Sequence, residues 1–416
     1  MSNLITKEQL GILSLKEREG LMDSWLMHRL DILIPAIMKK HDVDMWIIAG
    51  REYNEDPLLE TFFPSAIDSS RRLTIIVFYK DEANQIERLV IHSNPKFEPF
   101  YKRAWGYKGE TQWECLTRII REKKPRCAAL NYSKVHAACD GLTHSLFQKI
   151  HTILENLSVT GISAEKMAVE WLEMRTGPEL EFYPQIADIT RIIAAEALEH
   201  VITPGVTNSE DVVEWIRQRV FDLGLKTSFY PTVDLQRQGE KNNRMETVIL
   251  PGDIVHIDFG LYYLGLATDT QLLAYVLRKG EESPPKGVID AMKTAIRMED
   301  IIAGHFAEGC SGNDIFQSSV EQAGREGIKA MVYSHPLGVH CHGAGPVMGL
   351  YDCQGDIPVR GAYSIKNNTC YAMEFNVTQY IPEWGQDVTL YMEESITFKG
   401  GKVSFLTNRQ IEFYLI

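Results

Sequence analysis

Acidic side chains set inside apolar, strand-like runs constrain this chain more than any other feature. Asp258, Asp269, Glu374 and Glu393 each lie in such a run, and His335 stands between the two pairs in a Gly/Pro-rich segment. Acids are rarely buried unless they are paired or bind a cation. A fold that brings these five together makes an oxygen-rich pocket suited to a pair of divalent ions.

The stretch DIVHIDFGLYYLGLATDTQLLAYV (253–276) reads as two strands around a turn at 262–265. A hairpin closing there is expected to set Asp258 directly opposite Asp269, with Cβ atoms ~5 Å apart. Two carboxylates that close repel unless a cation bridges them or one is protonated. His256 alternates with Asp258 and shares its face; a supporting or core role is expected for it. CYAMEFNVTQYI (370–381) and VTLYMEESITF (388–398) put Glu374 and Glu393 inside apolar strands. A single Glu in such a place is usually an outward acid on an edge strand. Two of them, following an Asp pair, argue for one shared site. Glu394 would face away from Glu393, so only one of the two can serve. SHPLGVHCHGAGP (334–346) offers His335, His340 and His342, with glycines that let backbone approach a ligand closely.

Hard oxygen donors with one imidazole suit Mn(II), Fe(II) or Co(II) better than a thiolate-type zinc site. Two such ions can hold a water between them, lower its pKa to give a hydroxide near neutral pH, and polarise a carbonyl. That is equipment for hydrolysing an amide bond.

The remainder of the chain is ordinary globular material. Its 416 residues suggest two or three domains, with 44% hydrophobic and 24% charged residues. A net charge of −13 disfavours nucleic acid and anionic membrane as partners. Seven cysteines without a CxxC pair indicate neither a disulfide framework nor a zinc ribbon. The first twenty residues are polar and lack an apolar signal core, and no apolar run reaches spanning length. A cytoplasmic protein is the expectation.

Residues 14–40 have helical apolar spacing. DMWIIA (44–49), LTIIVFY (73–79), RLVIHS (88–93) and CAALNYS (127–133) read as strands. From about 163 the chain is helical, with a Thr-Gly-Pro break at 176–178 and a capped helix after Asn208. Strands then dominate, apart from one helical stretch at about 284–328.

The region 165–416 resembles the pita-bread metallopeptidases: aminopeptidase P, prolidase and methionine aminopeptidase. IDFG…ATD matches the family's paired-Asp hairpin. SHPLGVHCH matches its histidine segment, in which a second active-site His follows the metal-binding one by seven positions. AMEFNV and YMEESITF match the strands of its two Glu ligands. The resemblance implies an α+β chain: an N-terminal mixed α/β domain of the creatinase and prolidase kind over 1–162, and a C-terminal pita-bread catalytic domain over 163–416.

It also implies roles. Asp258 and Asp269 chelate one metal, His335 and Glu374 complete the second site, and Glu393 bridges. Glu374 doubles as general base, and His342 stabilises the tetrahedral intermediate. Mn(II) is the expected metal, with Fe(II), Co(II) or Zn(II) as alternatives, and a homodimer is the expected assembly. Three departures bear on the substrate. The stretch SFYPTVDLQRQGEKNNRME (228–246) lacks the family's upstream His; Met331 stands where aminopeptidase P and prolidase have another His; Tyr391 replaces an Arg. Arg237, His340 and Tyr391 are the candidates for substrate binding, Arg237 through a bidentate grip on a carboxylate. The leading expectation is a peptidase of Xaa-Pro aminopeptidase or prolidase type. The alternative is a metalloenzyme acting on a small non-peptide amide or zwitterion, as hydrolase or lyase; a non-catalytic binding protein stands third.

Overall fold

Ser14 opens the helix Leu15–Lys40 by a reciprocal cap. Its hydroxyl receives the Glu17 N–H, and the Glu17 carboxylate receives the Ser14 N–H, which satisfies two otherwise orphaned donors. The computed structural model describes residues 4–106, 109–242 and 244–416. The four expected strands form as Met45–Arg51, Leu73–Lys80, Ile86–Ile91 and Cys127–Leu130. With Lys102–Arg103 and Thr160–Ser163 they make one six-stranded mixed sheet, centred on Met45–Arg51 and Leu73–Lys80. Ile47, Ala49, Ile75 and Val77 pack with Ile119 and Ile150 of the helices Gln112–Lys123 and His144–Asn156. Burial of these central strands is why they read as unbroken apolar runs.

The chain divides into two compact units, Leu13–Leu172 and Glu173–Ile416, the second joined by residues 4–12. The division thus falls at 172/173, where the sequence suggested 162/163. Trp171 accounts for the shift: it stacks on Phe62 at 4.3 Å and donates to Thr61 Oγ1 at 2.7 Å, holding most of the helix Glu165–Glu173 to the first unit. At the other end Ile5 donates to Glu196 and accepts from Arg219, both in the second unit.

Two long antiparallel strands, Thr369–Ile381 and Gln386–Lys399, form the backbone of the second unit. Their alternation creates two faces. Tyr371, Met373, Phe375 and Val377, with Val388, Leu390 and Met392, join the core with the helix Lys286–His305. Glu374, Asn376, Tyr391 and Glu393 fall on the opposite face by parity. Glu394 has the core parity. Arg191 pairs with it at 3.2 Å and the Gln410 N–H bonds it at 2.7 Å, so this acid is neutralised away from Glu393.

The strand Ile254–Phe259 pairs with Thr270–Tyr275 inside a four-stranded sheet. One face of this pair runs from apolar Ile254, Leu273 and Tyr275, which enter the same core, to polar His256, Asp258 and Gln271. The single helical stretch expected at 284–328 is two helices, Lys286–His305 and Gly312–Arg325. The first stops at His305, where Phe306 turns extended, and Ser311 caps the second. Among the described residues no helix is long and apolar enough to cross a membrane.

Candidate metal centre

The Asp hairpin closes through Leu264 and Gly265, at φ 54° and 73°. Two consecutive positive φ values define the tight turn that suits a twisted hairpin. The resulting register corrects the expected one: Asp258 faces Gln271, and Asp269 sits two residues earlier, across from Gly260. The same register runs on from the turn, where Tyr263 pairs with Leu266 and Tyr262 with Ala267, and Gly260 lies where the hairpin crosses between two sheets. A Cβ there would lie 2.1 Å from Thr268 O and 2.3 Å from Ser228 Oγ, so only glycine lets the hairpin pass from one sheet to the next. Diagonal neighbours still share a face. Asp258, Asp269 and Glu393 present ligand atoms within 4.8 Å of one another.

Glu374 stands directly opposite Glu393 across the long strand pair. His335 begins the short strand His335–Leu337, opposite Ala372. Its Nε2 comes to 3.5 Å from Glu374 Oε2 and 3.7 Å from Asp269 Oδ2. Its Nδ1 lies 3.1 Å from Pro336 O. A proton held there leaves the Nε2 lone pair toward the acids, the tautomer a metal-binding imidazole needs. His335, Glu374 and Glu393 form a second group with ligand atoms within 4.8 Å. Glu393 is common to both groups, as a bridging ligand requires.

Burial is the chief force on these carboxyls. It pushes Asp258, Asp269, Glu374 and Glu393 above the usual carboxylate range, and for the last three the neighbouring acids push them further. His335 is driven the other way, to about 3, by burial and then by His342. Among the described residues, His335 Nε2, Asp269 Oδ1 and Glu393 Oε1 are buried without a hydrogen-bonding partner. Each such atom costs roughly 1–3 kcal/mol. Three of them meet in one cluster with four acids. Two divalent cations would satisfy all three and neutralise the acids, so the residues fit a dinuclear centre of oxygen and imidazole ligands.

The surrounding residues divide. His342 packs edge-on against His335, ring centroids 4.6 Å apart, and shares a ligand group with Asp269 and His335. Burial, then Arg360, lowers its pKa, keeping the ring neutral. His340 is in none of the ligand groups; burial and Arg175 lower its pKa. Tyr391 is buried between Arg244, 5.2 Å from its ring, and His256, with centroids 5.5 Å apart. Arg237 corrects an expectation. Its guanidinium is locked on Asp253 by two bonds of 2.7 Å and bonds Val248 O at 2.8 Å, so the fork meant for a substrate is taken by the fold.

Sequence reasoning missed three groups. Arg360 is half-buried, its Nε has no hydrogen-bonding partner, and its charge bears on both His335 and His342. Nothing in its loop sequence marks it. Cys341 donates its thiol to Asp269 Oδ2 at 2.9 Å. Gln271, opposite Asp258, bonds Glu374.

The pattern that defines metallopeptidase family M24 matches residues 184–398. No curated protein matches this sequence closely. Solved structures are similar over nearly the whole chain at low identity. An X-Pro aminopeptidase from Thermotoga maritima has a TM-score of 0.67 at 16% identity, with 92% of this chain and 100% of that chain covered. A Xaa-Pro dipeptidase from Bacillus anthracis has 0.62 at 15%, covering 97% and 100%. A prolidase from Pyrococcus furiosus has 0.58 at 14%, covering 90% and 99%. The likeness is one of fold: a pita-bread unit preceded by a mixed α/β unit.

Proposed function

Because the chain belongs to metallopeptidase family M24, we propose that it is a dinuclear metal-dependent peptidase releasing N-terminal residues, of Xaa-Pro aminopeptidase or prolidase type. The observation that carries this reading is the set of three partnerless buried atoms, on His335, Asp269 and Glu393, inside one cluster of acids. Asp258 and Asp269 would hold one ion, His335 and Glu374 the other, with Glu393 between them. Mn(II) is the proposed metal, with Fe(II), Co(II) or Zn(II) as alternatives. Such a pair, when bound, supplies an activated water and polarises the scissile carbonyl.

The chain's own residues do the rest. Glu374 Oε2 faces the cluster and takes the proton of the attacking water, the part of a positioned general base. His342, neutral and adjacent to His335, donates a hydrogen bond to the oxygen on which charge develops. Arg360 takes the place first assigned to Arg237. A half-buried guanidinium whose Nε lacks a partner is compensated by an anion, and a bidentate carboxylate fits its fork. A free substrate carboxylate near the metals means a short peptide, which favours the dipeptidase end of the range.

A panel of X-Pro dipeptides and longer X-Pro peptides, assayed with Mn(II), tests the reading. Turnover of the dipeptides is expected; fully metallated protein that cleaves no peptide would overturn it. One observation favours a second reading, in which the substrate is a small non-peptide amide or zwitterion. The segment 228–246, which lacks the upstream His, carries Asp234 and Arg244 instead, bonded to each other at 2.9 Å beside His256 and Tyr391. Turnover of such a compound without peptidase activity would select it. A homodimer in the cytoplasm belongs to either reading.

A further inference from the structure

Three buried polar side chains, headed by the exposed Arg244, form a line that ends on Glu374. Arg244 Nε donates to Asp234 Oδ2 at 2.9 Å, and His256 Nδ1 lies 3.2 Å from the same oxygen. His256 Nε2 lies 3.1 Å from Gln271 Oε1, and Gln271 Nε2 donates to Glu374 Oε1 at 3.2 Å. Asp234, His256 and Gln271 are each at most 4% exposed. They come from three adjacent strands of one sheet: Thr232–Gln236, Ile254–Phe259 and Thr270–Tyr275. Pairing sets Asp234 beside His256, and Asp258 beside Gln271. The strand that supplies the first Asp ligand thus also supplies the middle of the line.

We propose that Gln271, braced by His256 and Asp234, is a positioning residue that fixes Glu374 as a one-oxygen ligand. The two carboxylate oxygens have different surroundings. Oε1 is taken by the Gln271 amide, while Oε2 is the one that faces His335 Nε2, at 3.5 Å. An unrestrained glutamate can turn its carboxylate or chelate one cation with both oxygens. The amide donor removes that freedom and leaves Oε2 for the cluster. The amide cannot flip without cost: turned over, its carbonyl would meet a carboxylate oxygen. As an imidazolium, His256 donates Nε2–H to that carbonyl on the far side and Nδ1–H to Asp234, which orients the ring. Hydrogen bonds of this kind behind a ligand set its orientation and affinity.

The inference rests on the dinuclear reading above, and cobalt binding separates the two. Metal-free wild type, Gln271→Met and His256→Gln are titrated with Co(II), following uptake by calorimetry and the visible absorption of the bound ion. Wild type is expected to take up cobalt at two sites. In Gln271→Met one site should weaken by about 10–100-fold, the absorption envelope should change as Glu374 turns, and His256→Gln should show a smaller shift of the same kind. Circular dichroism checks that each variant is folded; should Gln271→Met fail to fold, His256→Gln carries the test alone. Cobalt affinities within about twofold of wild type, with an unchanged spectrum, would overturn the positioning role. Wild type that binds no cobalt would overturn the dinuclear reading, and this inference with it.

Discussion

Glu374 and Glu393 face each other as direct partners across two antiparallel strands, with His335 Nε2 3.5 Å from the first. Opposed like charges destabilise a strand pair unless a cation lies between them or one carries a proton. Glu374→Gln separates the two consequences. It should raise the melting temperature of the metal-free protein, because one repelling acid is gone. It should also lower kcat by about 10²-fold or more, because the base is gone. Thermal denaturation with chelator and steady-state kinetics with metal read the two effects; near-wild-type turnover would place the base elsewhere.

The metal-free protein should lose stability as pH rises from about 6.5 to about 8. Burial raises Glu299 to about 8, and Asp269, Glu374 and Glu393 are also raised. An acid raised in the folded state holds its proton more tightly there than in the unfolded chain. Its contribution is full below the unfolded pKa and fades as pH climbs through the folded one. His256, raised on balance because Asp234 outweighs burial, has the same sign. His335, lowered to about 3 by burial, costs stability only below its unfolded pKa of about 6.5, outside this window. Saturating Mn(II) should flatten or reverse the slope, since metal replaces those protons. Melting curves at several pH values, with and without metal, check this.

Arg237→Ala and Arg360→Ala should behave differently. Asp253, the partner of Arg237, is fully buried. Removing Arg237 strands that charge and should cost on the order of 3 kcal/mol in urea denaturation, with KM little changed. Arg360→Ala should leave stability nearly intact and raise KM for peptides with a free C-terminal carboxylate but not for amidated ones. An equal rise for both would argue against carboxylate binding.

Gly260→Ala should damage metal binding from a position that touches no metal. The added methyl meets Thr268 O at 2.1 Å, one residue before Asp269. A cost of about 1–3 kcal/mol and weaker Mn(II) uptake by calorimetry are expected; unaltered uptake would mean that the close packing at Gly260 does not position Asp269.

The four candidate acid ligands were legible because an acid in an apolar strand is a chemical anomaly visible in a single sequence, and His335 stood out in its Gly/Pro-rich histidine segment. Alternation also separated Glu393 from Glu394, and Arg191 now accounts for the second. The strands of the first unit were legible through their β-branched and aromatic runs. The hairpin register was not, because it depends on which two residues take positive φ, and Gly260 and Gly265 look alike in the sequence. Arg237 misled for a related reason: its partner Asp253 lies in a different strand-loop segment, and only the fold decides that the two meet. Arg360 carried no local pattern at all. His256 was visible as a neighbour of Asp258, but its connection to Glu374 runs through Gln271 and needs three strands in register.

Elemental analysis of gently purified protein, paired with calorimetric titration of the metal-free form, tests the central claim most directly. Two divalent ions per chain are expected in wild type, with loss of at least one in Asp258→Asn. Wild type that binds no divalent ion at any concentration compatible with folding would contradict the account.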